Sequence, residues 1–334
     1  MKKAKQLIAG CCLFAILFTG CRNGIQFNFD DEVYTEEDMT HFTSEKIAID
    51  ELTALDIESI YADFEIIASD GYYMEYSYYY INNKPTLTIE DGTLSFSDRD
   101  MNTGSYSINM NQDNYLKIYI PTTTNFDSIK IAKSSGDCYV GAFTTNKATT
   151  TNRYGDTMIN NCKAETLELD VSSGKAEIEK SSINHLEVEN TYGEVFLSEL
   201  NVDTTPAKEI EVNMSSGKLE LENLNSQEVN LRNSYGGIEL EDSTITKLSS
   251  YLDSGDVVVD KSNIAEVNIE NSYGSVELGL IGKFEDYRYQ IDNEYGTTTI
   301  GDDVYENSVL IDRGAEKLIN LEVTSGDVEI SFTE

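Results

Sequence analysis

One feature constrains this chain above all others: a glycine returns about every nineteen residues. The series is Gly136, Gly155, Gly174, Gly193, Gly217, Gly236, Gly255, Gly274, Gly296 and Gly326, at steps of 19, 19, 19, 24, 19, 19, 19, 22 and 30. The 24-residue step holds an insertion around Pro206, and the last two steps hold others. Two residues after the glycines stand Cys138, Thr157, Ala176, Val195, Leu219, Ile238, Val257, Val276, Thr298 and Val328. Four after them stand Val140, Ile159, Ile178, Leu197, Leu221, Leu240, Val259, Leu278, Ile300 and Ile330. The residue between is often acidic, as at Glu177, Glu220, Glu239 and Glu277. Alternation with period two marks a strand with one buried face. A second short strand is expected twelve to fourteen residues after the glycine, as at Leu167 and Leu169 or Leu186 and Val188.

One such unit cannot bury its apolar side alone, whereas stacked units share a continuous core. The expected fold is all-β: a β-solenoid, in the form of a single-stranded right-handed β-helix with coils of about 19 residues. A flattened roll with 38-residue turns fits the same spacing. Ser-Gly precedes the strand at 136, 174, 217, 255 and 326, and Tyr-Gly at 155, 193, 236, 274 and 296. An asparagine stands three residues before each Tyr-Gly glycine: Asn152, Asn190, Asn233, Asn271 and Asn293. The glycine is expected to supply a positive φ or a close approach of stacked backbones. Ahead of Gly136 the pattern is looser, with alternating strands at Leu55–Ile57 and Ala62–Ile67 and a dense aromatic strand over Tyr72–Tyr80. Residues 49–334 therefore read as one solenoid domain, with 49–130 as its capping end and Val328–Phe332 closing the other. Cys138 falls on an inward position and Cys162 at a different point of the coil, so a buried free thiol at Cys138 and no disulfide are expected.

Lys2, Lys3 and Lys5 precede an apolar run from Leu7 to Gly20. The run is short for a bilayer span, which takes about 20 residues, and fits a signal-peptide core over 1–21. Phe18-Thr19-Gly20-Cys21 resembles a bacterial lipobox, with Phe18 where leucine is usual, and makes Cys21 the expected lipidated N-terminus. Ile8-Ala9-Gly10-Cys11 is a better local match but leaves almost no apolar core before it, and an uncleaved membrane anchor is the other reading. Each places the body outside the cytoplasm, lipid-anchored to the cell envelope or held by the anchor. Residues 22–48 are acidic and aperiodic, and are expected to form a tether.

Net charge is −36, and removing residues 1–21, which carry three lysines and no acid, makes it −39. Such a chain repels nucleic acid and anionic headgroups. Neutral glycans, basic or envelope proteins and divalent cations are the partners left. Solubility alone would also account for the charge.

Leu116-Lys117-Ile118-Tyr119-Ile120-Pro121, then Asp127-Ser128-Ile129-Lys130-Ile131, then Ser134-Ser135-Gly136-Asp137 and the reiterated Ser-Gly-Asp-Val resemble the bacterial putative-adhesin domain family of unknown function. The resemblance covers roughly residues 50–334. It implies a β-helical cell-envelope protein and offers no catalytic residues to carry over.

Two surface constellations are candidates for function. Glu220 with Glu239, and Glu222 with Glu241 and Asp260, share positions in successive coils. Stacked strands lie about 4.8 Å apart, so these carboxylates would repel one another, and a Ca²⁺ ion would relieve them. An ordinary solvated face is the plainer reading. Tyr154, Tyr192, Tyr235, Tyr273 and Tyr295 would recur along one edge, where rings can stack on sugars or pack on a protein; a structural ladder over the turns is the alternative. Only two histidines occur, His41 in the tether and His185 in an interstrand turn. No nucleophile triad, zinc spacing or phosphate loop is present, and no cofactor other than Ca²⁺ is implied. The expected function is a non-catalytic, lipid-anchored, adhesin-like scaffold for a glycan or an envelope protein. An envelope-stress or regulatory lipoprotein with a membrane partner, and a β-helical carbohydrate-active enzyme, are the alternatives.

Overall fold

The computed structural model describes residues 40–333 apart from 81–82, 100–113, 203 and 307. The leader, Cys21 and the first part of the acidic tether lie outside the described residues. Two parallel sheets face each other across one apolar core. Each 19-residue coil contributes a short strand to the first sheet and a longer one to the second. Cys138 pairs with Thr157, Thr157 with Ala176 and Ala176 with Val195 in the first sheet. Ala148 pairs with Leu167 and Leu167 with Leu186 in the second. One rung is thus 19 residues and not 38.

The N-terminal strands are β1 (Thr40–Ala48), β2 (Ala54–Ser59), β3 (Asp63–Ser69), β4 (Tyr73–Tyr80), β5 (Thr86–Glu90), β6 (Thr93–Ser97), β7 (Tyr115–Pro121), β8 (Asn125–Phe126) and β9 (Ser128–Lys133). The regular stack follows as β10 (Cys138–Gly141), β11 (Thr144–Tyr154), β12 (Thr157–Asn160), β13 (Lys163–Ser173), β14 (Ala176–Glu179), β15 (Ser182–Tyr192), β16 (Val195–Leu200), β17 (Ala207–Ser216), β18 (Leu219–Tyr235), β19 (Ile238–Glu241), β20 (Thr244–Ser254), β21 (Val257–Tyr273) and β22 (Val276–Ile281). The chain ends with β23 (Tyr287–Tyr295), β24 (Thr297–Ile300), β25 (Asp303–Glu306), β26 (Val309–Ile311), β27 (Lys317–Ser325) and β28 (Val328–Thr333).

The coil has two corners, built differently. At the glycine corner a continuous column runs through the stack. Gly217 has φ +130°, and a Cβ there would enter the carbonyl oxygen of Gly193, one coil away. Its neighbours in the column are crowded in the same way, so both expected reasons for glycine hold at once. The asparagines explain themselves here too. Each is buried and donates from Nδ2 to the glycine carbonyl of the adjoining Ser-Gly coil: Asn152 to Gly136, Asn190 to Gly174, Asn233 to Gly217, Asn271 to Gly255 and Asn293 to Gly326. The second corner lies six residues after the glycine and uses no glycine. Ala142, Asn161, Lys180, Glu199, Asn223, Asp242 and Lys261 all sit in the left-handed region, at φ of 44–59°. One left-handed residue turns the chain from the first sheet into the second, at a cost of about 1–2 kcal/mol for a side chain other than Asn or Asp. The next residue, such as Phe143, Cys162 or Leu200, is buried under the bend.

Several sequence expectations are corrected. The second strand of each coil is the longer one, commonly eleven residues as in β13. His185 lies inside strand β15, not in a turn. The tether does not extend over 22–48: Thr40–Ala48 is a strand, antiparallel to β4, and carries His41. The final strand does not close the stack. β27 pairs with β21 on one side and β23 on the other, and β28 lies between β22 and β24. The last coil of the chain is therefore the penultimate rung, and the 287–300 coil is outermost. The N-terminal end does the same. β3 lies between β7 and β10, and β2 lies between β6 and β9. Each terminal coil is enclosed by chain nearer the middle of the sequence, and antiparallel strands β1, β4, β5, β25 and β26 cover the outer edges. Cys138 and Cys162 are both free and buried, and burial lifts the Cys138 thiol to about 12.

Candidate functional site

The tyrosine edge forms as a straight row. Tyr154 pairs with Ser173, Ser173 with Tyr192, Tyr192 with Ser216, Ser216 with Tyr235 and Tyr235 with Ser254. At the far end Ser325 of the enclosed coil lies between Tyr273 and Tyr295. In chain order two Tyr-Gly turns follow one another at 274 and 296; in space the alternation is unbroken. A serine rung between tyrosines sets the rings two rungs apart, about 9.6 Å, which is too far for them to stack on one another. All five are 64–67% exposed. They do not lie over the turns as a packed ladder.

The acidic column also forms, with Glu220 opposite Glu239, and Glu222, Glu241 and Asp260 in one line. Its electrostatics are not those of a calcium cage. Lys218 Nζ lies 2.5 Å from Glu220 Oε1 and 2.8 Å from Glu239 Oε2. Lys261 Nζ lies 2.8 Å from Asp260 Oδ2. The two carboxylates raise the Lys218 pKa above its ordinary value. Ammonium groups thus take the place expected for the cation. Among the described residues no three His, Cys, Asp or Glu side chains converge to hold a metal ion. Glu220, Glu222, Glu239 and Glu241, with Phe196 and Leu221, line only a shallow depression of about 180 Å³.

A third feature was not found from the sequence. The outer face of the second sheet carries a trough of about 790 Å³ between β17 and β27. Its floor is the residue six before each following glycine: Glu211, Asn230, Ser249, Asn268 and Asn320. All five are half-buried. Asn230 Nδ2 donates to Glu209 Oε1 at 3.2 Å, Asn268 Nδ2 to Glu266 Oε1 at 2.8 Å and Asn320 Nδ2 to Asn268 Oδ1 at 3.3 Å. Arg232, Tyr251 and Glu270 form one wall, in register across three coils. Tyr251 is exposed, and its hydroxyl donates to Asp253 Oδ1 at 3.0 Å. Arg232 has no ion-pair partner among the described residues. Toward the N-terminus the same floor continues as Thr149, Glu168, Glu187 and Glu211. Burial, then the carboxylates of Glu211 and Glu168, raise the Glu187 pKa. Counting forward from each glycine hid this column behind the insertions; counting back from the next glycine exposes it.

Neither histidine builds a reaction centre. His41 stacks on Tyr79 with ring centroids 4.1 Å apart, and its Nε2 is 2.9 Å from Ser77 Oγ. No carboxylate contacts that ring among the described residues, so the pair lacks the orienting acid of a triad. His185 faces outward between Thr166 and Glu209.

The Toastrack DUF4097 family model matches this chain twice, over residues 52–209 and 198–331. The chain belongs to the Toastrack DUF4097 family. The two matches meet at the insertion around Pro206, and together they take in the glycine column and both ends of the Toastrack solenoid. No curated protein matches the sequence. Among solved structures, the chain is similar to one named a putative lipid binding protein from Parabacteroides distasonis ATCC 8503, at 13% identity, covering 90% of this chain and 98% of that one, with a TM-score of 0.36. It is similar to a putative adhesin from the same organism at 10% identity, covering 87% and 97%, with a TM-score of 0.37. A putative cell adhesion protein from Clostridium sporogenes ATCC 15579 is 13% identical, covering 88% and 100%, with a TM-score of 0.25.

Proposed function

We propose that this Toastrack protein is a non-catalytic binding scaffold of the cell envelope, anchored by lipid at Cys21, that presents its tyrosine edge to an extracytoplasmic glycan or envelope protein. The row of five exposed tyrosines, two rungs apart on a rigid stack, carries this reading. Their rings offer apolar faces with a polar tip, the combination found where a ligand meets protein in water. A parallel stack fixes the spacing, so an extended ligand meets several rings without further ordering of the protein. The strong negative charge favours a neutral or basic ligand. A scaffold also suits the repetition: equivalent positions in successive coils carry similar groups, and no acid–base pair stands apart from the rest.

Binding of the purified protein to isolated cell-wall material and to a glycan array tests the reading. Changing Tyr192, Tyr235 and Tyr273 together to alanine is expected to weaken binding at least tenfold. Unchanged binding would end the tyrosine proposal, and turnover of any polysaccharide would end the non-catalytic one. Palmitate labelling that persists in Cys21→Ser would overturn the anchor.

A further inference from the structure

The trough on the second sheet is independent of the tyrosine edge, and its chemistry is different. We propose that it is a binding site for an uncharged glycan chain, lying along the stack on Asn230, Ser249, Asn268 and Asn320 with Tyr251 at its side.

The floor decides the class of ligand. Elsewhere the same column is acidic, at Glu168, Glu187 and Glu211. Across the next four rungs, β18 to β27, it becomes Asn, Ser, Asn and Asn, with no charge. Primary amides and hydroxyls both donate and accept, which matches the hydroxyls of a sugar. Each asparagine spends one N–H on a neighbour, which fixes its orientation and leaves its other N–H for a ligand. Floor residues recur about every 4.8 Å, close to the advance of one pyranose in an extended chain. From Glu211 to Asn320 the trough is about 19 Å long, room for roughly four rings. Tyr251 supplies an exposed ring on the wall for the apolar face of one sugar. Arg232, without an ion-pair partner, can donate to ring or glycosidic oxygens.

The same geometry disfavours the other occupants. A peptide would need unpaired backbone groups or apolar pockets, whereas the backbone beneath the trough is fully engaged in the parallel ladder. An anionic glycan would meet Glu211 and Glu270 on a chain of net charge −36.

The test is an array of uncharged and anionic oligosaccharides, four or more sugars long, probed with the purified full-length protein, followed by calorimetric titration of the strongest binder. An uncharged oligosaccharide is expected to bind. Asn230→Ala with Asn268→Ala should weaken it about tenfold, the loss expected from removing two or more hydrogen bonds. Tyr251→Ala should do the same through lost stacking. All three residues are at the surface, and unchanged melting temperatures will show that the variants fold. The Tyr192, Tyr235 and Tyr273 triple alanine variant should leave this binding within about twofold, which separates the trough from the edge. Binding lost in the edge variant but kept in the trough variants would overturn the proposal while supporting the edge. Preference for an anionic oligosaccharide, or no uncharged binder on the array, would overturn it as well.

Discussion

The middle of the stack and its two ends solve different problems. Between Gly136 and Gly274 chain order and spatial order agree, and the core is mostly aliphatic: Leu167, Leu169 and Val171 lie under Leu186 and Val188, coil upon coil. At the ends the order is rearranged and the side chains are large. Phe64, Tyr78, Phe96 and Phe126 fill the N-terminal end, and Tyr287, Tyr289, Phe284 and Phe332 the C-terminal one. Asp98 is buried there, receiving hydrogen bonds from Ser59 and Tyr78 and from the backbone N–H of Ile60. A middle coil has a neighbour on each side. An end coil must cover its own open face, and rings cover more area per side chain than aliphatic groups. Enclosing the terminal coils also leaves no free parallel strand at either end to recruit another chain.

The sharpest break in this comparison is a truncation before Lys317. It removes one interior rung rather than an outer one, because β23 and β24 depend on β27 and β28 for their parallel pairing. We expect loss of cooperative unfolding and association of exposed sheet edges, read by denaturant melting and size-exclusion chromatography. A monomer that still melts cooperatively would refute the threading. Next is Gly217→Ala in the middle, where both the positive φ and the Gly193 carbonyl forbid a Cβ. A loss above about 4 kcal/mol is expected by urea denaturation; a loss under about 1 kcal/mol would contradict the column.

Asn190→Ala should cost about 1 kcal/mol in the same assay, the low end for a buried hydrogen bond. Its Oδ1 is itself buried without a partner, and deleting it returns part of the loss. The smallest effect concerns the charges that repetition brings together. The folded pKa of Glu187 is raised, so its contribution to stability is present at low pH and is lost as pH rises through that value. Glu187→Gln is therefore expected to be the more stable form at pH 7, by under about 0.5 kcal/mol at this partly exposed site. The difference should vanish by about pH 4. A variant less stable than the parent at pH 7 would show that Glu187 makes a favourable contact instead.

Much of this was legible beforehand, because the rung is a local object. Glycine spacing, period-two alternation and the exposed tyrosines follow from steric and burial rules acting within about twenty residues. The free, buried Cys138 follows from the same register. The left-handed corner was not legible, because Ala142, Lys180 and Glu199 carry no conformational signature; the bend is imposed by the two sheets it joins. The calcium reading failed because lysines two residues before or one after the carboxylates fold back on them, at Lys218 and Lys261.

The tyrosine edge and the trough mark the division. Sequence by itself determined that a coil is 19 residues long and that its turns alternate between Ser-Gly and Tyr-Gly. It even carried a clue to the threading, since the two consecutive Tyr-Gly turns at 274 and 296 break the alternation. Tertiary structure alone decided which coil lies beside which. Parallel pairing is set by whichever neighbour completes the ladder and the glycine column, and a coil brought in from 54 residues away can complete it as well as one 19 away, as Tyr273 opposite Ser325 shows at a separation of 52.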